Sequence, residues 1–148
     1  MNGCPVWKHR FTKWGKAMGV RRFSSYAETD TTLVTSAETV VATLAGTSTN
    51  QAGQTVALRG KANITLGAST TAVVTRIRRD SLTGTVVGEV QTEQIATAAG
   101  STEDHEIYRE ESAPGEFSGR TYVMTVSQTA ASANGTVNNA SLECEVTP

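Results

Sequence analysis

Large rings are scarce in this chain: three Phe, three Tyr and two Trp in 148 residues, 5% of the total. That excludes a core built mainly from aromatic side chains. Cysteine is scarcer still. Cys4 and Cys144 lie near opposite ends, and two cysteines do not make the framework of bridges that staples a small secreted domain. They read as free thiols of a reducing compartment, with a bridge from the N-terminal segment to the last strand as the alternative. Charged residues make up only 18%. No apolar run approaches the roughly 20 residues that a membrane span needs, so no membrane partner is expected. The basic N-terminus has no apolar segment behind it and does not read as a secretory leader. The two histidines, His9 and His105, stand apart. No nucleophile elbow, phosphate loop or metal triad occurs, so the chain reads as a non-enzyme with no cofactor and no metal.

What is abundant is Thr, Ala, Val, Ser and Gly. Branched Thr and Val suit a pleated surface, and small residues suit thin, closely spaced layers. The length is one domain's worth. The clearest pattern runs from Gly53 to Arg79. Val56, Leu58, Gly60, Ala62, Ile64 and Leu66 share one parity, and Ala57, Arg59, Lys61, Asn63 and Thr65 share the other. Side chains alternate across a strand, so one face is apolar and the other wet. Gly67–Thr70 breaks the pattern, and Thr71–Arg79 resumes it.

Six further strands are expected at Thr31–Thr35, Glu38–Ala45, Thr85–Gln91, Thr102–Glu111, Arg120–Gln128 and Thr136–Val146. Glu38–Ala45 places Val40, Ala42 and Leu44 on one face. Tyr122, Met124 and Val126 share a face, as do Leu142, Cys144 and Val146. Turn signals separate them, among them Asp80–Gly84 and Asn134-Gly135. Thr92–Gly100 is ambiguous between a helical turn and a strand extension. Eight strands with regular turns fit an all-β, eight-stranded jelly-roll-like β-sandwich. An immunoglobulin-like sandwich is the runner-up, although its cysteine and tryptophan pattern is missing.

Charge divides the chain. Residues 1–22 carry Lys8, Arg10, Lys13, Lys16, Arg21 and Arg22 with no acid, and the remainder holds seven basic and fourteen acidic residues. Residues 1–30 read as an extended N-terminal arm, and 31–148 as the sandwich. Trp7, Phe11, Trp14 and Met18 fall at helical spacing along that arm. Basic residues among aromatics suit phosphates and bases as well as an acidic protein surface. The acidic body opposes a polyanion, so no nucleic-acid partner is expected.

Within the body, Glu103, Asp104, Glu106, Glu110 and Glu111 cluster around His105. Carboxylates are hard ligands for calcium, but no calcium-loop spacing is present. The expected reading is a solvated or subunit-facing strand. Arg76 and Arg78 are expected to share a solvent face with Arg59 and Lys61, and to meet Glu103 and Glu106 across an interface between copies. Two ordinary surface strands are the alternative.

The residues from Thr32 onward resemble small virion proteins of tailed bacteriophages, of the capsid decoration, cement or head-spike type. The resemblance rests on Thr39–Leu44, Gly53–Gly60, Gly67–Ala72, Arg76–Arg79, Ala99–Glu103, Tyr122–Val126 and Ala133–Thr136. It implies a jelly-roll-like fold, a homotrimer without enzymatic activity, and the major capsid protein as partner. It also implies a place on the capsid surface of the virion, reached after synthesis in the host cytoplasm. The basic, aromatic start departs from the usual start of that group. On this reading Trp7, Phe11, Trp14 and Phe23 anchor the arm, with Arg10, Arg21 and Arg22 on acidic capsid patches. The alternative is a tail or fibre protein whose sandwich binds host-surface glycans. The loops Gly46–Gln51, Asp80–Gly84 and Thr129–Gly135, with no aromatic residue, count against that.

Overall fold

A computed structural model describes residues 20–27, 30–34, 37–49, 53–93, 100–113, 115, 117–129 and 133–148. Every regular element among them is a strand: β1 (Arg21–Ala27), β2 (Thr31–Leu33), β3 (Thr39–Thr49), β4 (Thr55–Thr65), β5 (Ala72–Arg79), β6 (Val86–Glu93), β7 (Thr102–Ser112), β8 (Phe117–Thr129) and β9 (Gly135–Thr147). Two antiparallel sheets form a sandwich. Sheet A has the order β1-β9-β4-β7, with β2 also on β9, and sheet B the order β3-β8-β5-β6.

The strands number nine, not eight, because the first edge strand comes in two pieces. β1 lies opposite Val146 to Ala140 and β2 opposite Val137 to Gly135, both along the same strand β9. Counted as one strand, β1–β2 gives the orders 1-8-3-6 and 2-7-4-5, the double Greek key of a jelly roll. The arm expected over residues 1–30 therefore overlaps the sandwich. Arg21–Ala27 is a paired edge strand, and residues 1–19 lie outside the described residues. β6 extends the expected Thr85–Gln91 strand to Glu93.

The alternating residues build the core. Val56, Leu58 and Ile64 of β4, Met124 and Val126 of β8, and Leu142 and Val146 of β9 are fully buried between the sheets. Bulges adjust the parity, and those in β3 and β9 reshape the core. In β3, Val40 faces Thr125 and Ala42 faces Met124, so Val41 is the extra residue. Val41 and Ala42 both enter the core, and Val40 stands 38% exposed. This corrects the expectation that Val40, Ala42 and Leu44 share a face. In β9 the register jumps between Val137 and Asn139, which turns both Val137 and Ala140 inward.

Small residues let the layers approach. A Cβ on Gly60, in the middle of β4, would lie 2.7 Å from Met124 Sδ and 3.3 Å from Ile77 Cδ1. On β6, a Cβ on Gly88 would lie 2.9 Å from Ile107 Cγ2 and 2.7 Å from Arg109 Cγ, so β6 closes against β7. On the opposite side the Arg21 guanidinium donates to the Ser48 carbonyl at 2.7 Å, tying β1 to β3.

Overpacking a closed core costs about 1–3 kcal/mol. Gly60→Val is therefore expected to lower the denaturant midpoint by a corresponding amount, because buried Met124 and Ile77 have nowhere to retreat. An unchanged midpoint in chemical denaturation would contradict the close approach of the two sheets at this point.

Candidate functional site

Three places hold chemistry: the polar interior, the outer face of sheet B and the outer face of sheet A. In the interior, β7 turns His105 inward, 3% exposed. Its Nδ1 lies 2.7 Å from Thr75 Oγ1 of β5 and its Nε2 3.0 Å from Thr92 Oγ1 of β6. A threonine hydroxyl donates or accepts, so both contacts suit a neutral ring. Burial pushes the imidazole below its ordinary value of 6.5, against the opposing pull of the Glu103 and Asp104 charges. A hydroxyl beside an imidazole has the form of a nucleophile and its base. Here Thr75 is fully buried, and no substrate reaches it. The pair is a staple between the sheets.

Two further polar ties lie at the ends of the sandwich. Gln128, fully buried, donates to the carbonyls of Leu33 at 3.1 Å and Ala133 at 3.2 Å, and its Oε1 accepts from the Gly67 amide at 3.3 Å. Glu111 accepts from Arg79 and, at 2.6 Å, from the buried Tyr122 hydroxyl. Burial and that bond to Glu111 push the Tyr122 hydroxyl far above its ordinary value. Cys144 also faces the core, and burial raises its thiol to about 11. A protonated, buried thiol is a poor nucleophile. Cys4, its partner in the alternative reading of a bridge, lies outside the described residues.

Sheet B carries Arg76 and Arg78 on its outer face. Glu38 accepts a fork from Arg78, with both nitrogens at 2.8 Å, and also accepts from Thr125. Arg76 lies 2.6 Å from Glu89 and 3.6 Å from Glu38. Burial alone would raise the Glu38 carboxyl, but the bonds from Arg78 and Thr125 and the charges of Arg78 and Arg76 hold it below its ordinary value.

Sheet A presents a different surface. The pairings align Arg22, Glu145, Ala57 and Glu110 in one row across β1, β9, β4 and β7. Ser24, Glu143, Arg59 and Tyr108 form the next, and Tyr26, Ser141, Lys61 and Glu106 the third. Arg22 bonds Glu145 at 2.8 Å, while Arg59 and Lys61 reach Glu106 at 3.5 and 3.7 Å. Arg59 also lies over the Tyr108 ring at 5.9 Å. The small Ala57 leaves a depression of about 570 Å³ lined by Arg22, Ser24, Arg59, Tyr108 and Glu143. Tyr108 in that lining is 50% exposed, and Tyr26 on the same face is 63% exposed.

The expected site residues are thus scattered. Trp7, Arg10, Phe11 and Trp14 lie outside the described residues. Arg21 is bonded to Ser48, Arg22 to Glu145, and Phe23 packs against the core. The basic residues expected on one face are on two: Arg59 and Lys61 on sheet A, Arg76 and Arg78 on sheet B. They cannot form one patch, because the core separates them. Glu106 pairs with Arg59 and Lys61 of its own chain, and Glu103 lies on the parity of His105. Among the described residues, no group of three or more His, Cys, Asp or Glu is placed to hold a metal ion. No helix among them is long and apolar enough to cross a membrane.

No protein-family model and no curated protein sequence matches this chain. Two solved structures are similar in outline. One is a chain of the disulfide-linked pili that form Bacillus endospore appendages, 14% identical, with a TM-score of 0.39 over 86% of this chain and 88% of that one. The other is a chain of the infectious bursal disease virus Gx strain, 11% identical, with a TM-score of 0.46 over 87% of this chain. This chain spans about a third of the viral one, 32% of its length.

Sequence reasoning missed that Tyr26, Tyr108 and Glu143 share one outer face, that of sheet A. The parity of β7 carried part of the signal, since Tyr108 alternates with Glu106 and Glu110. Tyr26 was hidden inside the supposed arm.

The buried imidazole fixes a pH dependence. Well above pH 6.5 neither folded nor unfolded His105 is charged. As pH falls below 6.5 the unfolded ring takes up a proton while the folded ring resists, so the unfolded state gains. The thermal midpoint is expected to fall over this window, and His105→Gln to flatten the His-linked part of that slope. Identical pH profiles for the two proteins would overturn the assignment.

Proposed function

We propose that this protein is a structural virion protein that binds the outside of a phage capsid and stabilises it by bridging capsomers, through its N-terminal segment and through contacts between copies in a homotrimer. The observation that carries the reading is the way the chain enters the sandwich. Arg21–Ala27 is pinned as an edge strand along β9, so the basic, aromatic residues 1–19 are tethered to a closed jelly roll. On this reading Trp7, Phe11 and Trp14, with Arg10, anchor on an acidic partner surface, as aromatic and Arg residues do at interface centres.

The mechanism is mechanical. A shell under internal pressure yields at the junctions between capsomers, and a protein spanning those junctions holds them together. Each contact need only be modest, because contacts linked in one assembly reinforce each other. The sandwich suits this task because side chains tie its two sheets together, Arg21 to Ser48, His105 to Thr75 and Thr92, and Glu111 to Arg79 and Tyr122.

Deleting residues 1–19 tests the reading and leaves β1 intact; a cut after Arg22 would remove the Arg22–Glu145 pair. The truncated protein is expected to keep its circular dichroism and to lose co-sedimentation with purified capsids. Undiminished capsid binding by a folded, truncated protein would sink the reading.

A further inference from the structure

We propose that the outer face of sheet A is the docking surface for residues 1–19 of the same chain. This goes beyond the capsid reading and does not rest on it.

The first argument is charge. That face carries five carboxylates, Asp104, Glu106, Glu110, Glu143 and Glu145, and three cations, Arg22, Arg59 and Lys61. All three cations are taken, by Glu145 and Glu106. Among the described residues, no ion pair engages Glu143, Glu110 or Asp104. Residues 1–19 supply Lys8, Arg10, Lys13 and Lys16 with no acid. On the outer face of sheet B, among the described side chains, Glu38 and Glu89 are both matched by Arg76 and Arg78.

The second argument is shape and stickiness. The face holds a depression over Ala57 lined by the exposed ring of Tyr108, and Tyr26, two residues beyond Ser24 on β1, is exposed on the same face. The segment interleaves Trp7, Phe11 and Trp14 with its cations. Aromatic pairs and cation–ring contacts both favour such a meeting.

The third is tethering. The segment ends one residue before β1, whose Arg22 and Ser24 line the depression. Nineteen extended residues reach about 60 Å, whereas four strands at about 4.8 Å spacing make a face under about 20 Å wide. A tether this short holds the segment near its own face at about millimolar effective concentration, above that of a second copy in dilute solution. A capsid, or any other partner of the segment, would compete with this resting place.

Both tryptophans of the chain, Trp7 and Trp14, lie in the segment, so the emission of the intact protein reports on it alone. In the full-length protein at low salt the tryptophans are expected to be blue-shifted and shielded from acrylamide. Glu143→Lys combined with Glu110→Lys, two exposed positions, is expected to raise the quenching several-fold with circular dichroism unchanged. Raising the salt on the unmutated protein is expected to do the same by screening, which keeps the test alive should the variant misfold. Shielding should not change on dilution. Tryptophans as open to quencher as the free amino acid, shielding indifferent to both charge reversal and salt, or shielding lost on dilution would each overturn the proposal. Capsid co-sedimentation is read separately, so either proposal can fail alone.

Discussion

The pairing of β9 on both its edges is the contact on which the rest of the molecule depends. β9 lies between the two-piece first strand and β4, and its register sets every row of sheet A. A one-residue slip would turn Leu142, Cys144 and Val146 to water and bury Glu143 and Glu145. The apolar set therefore pins the register, and the register then decides which charges share the outer face. The partners are far apart in sequence, Arg21 with Val146 for example. Such a sheet closes only when the last strand arrives, which makes folding slow relative to helical proteins of the same size.

A core with few large rings has to be thin, and a thin core puts polar groups within reach of the opposite sheet. This protein uses that closeness. His105 meets hydroxyls from two strands of sheet B, Glu111 meets Arg79 and Tyr122, and Gln128 ties three separate stretches of backbone. Each net bond is worth only about 1 kcal/mol, but losing one partner leaves a buried group unsatisfied at a cost of about 1–3 kcal/mol. Polar ties of this kind specify one arrangement of the two sheets more sharply than interchangeable aliphatic contacts do.

These relations explain what the sequence could reveal. The faces of β4 and β9 were legible because Val56 to Ile64 and Leu142 to Val146 alternate, and the core face of β8 because Tyr122, Met124 and Val126 share a parity. The face of β3 was not legible, because a bulge at Val41 shifts the parity without leaving a Gly or Pro to mark it. β1 was hidden for another reason. Arg21, Arg22 and Phe23 continue the composition of the preceding basic segment, and only their pairing with β9 makes them strand. The candidate surface was least legible of all. Arg59 and Arg76 look alike in sequence, yet they stand on opposite outer faces, and which face a strand joins is settled by pairing between distant segments.

The two outer faces end with different electrical characters, and this bears on how the molecule meets anything else. On sheet B, Glu38 sits at the centre of Arg78, Arg76 and Thr125, a closed set that a partner would have to break before using any member. Charges so matched repel neither sign strongly and attract neither. On sheet A, Glu106 serves two cations at longer range, 3.5 and 3.7 Å, while Glu143 stands opposite Arg59, which is drawn instead to Glu106 and the Tyr108 ring. These pairs are about half exposed, and exposed pairs are worth little, so they yield easily to a better-placed cation. A basic, aromatic ligand therefore gains on sheet A without dismantling a strong pair, and on sheet B it does not. The asymmetry follows from the strand order: β7 and β9 bring their carboxylates to one layer, and β5 carries its arginines to the other.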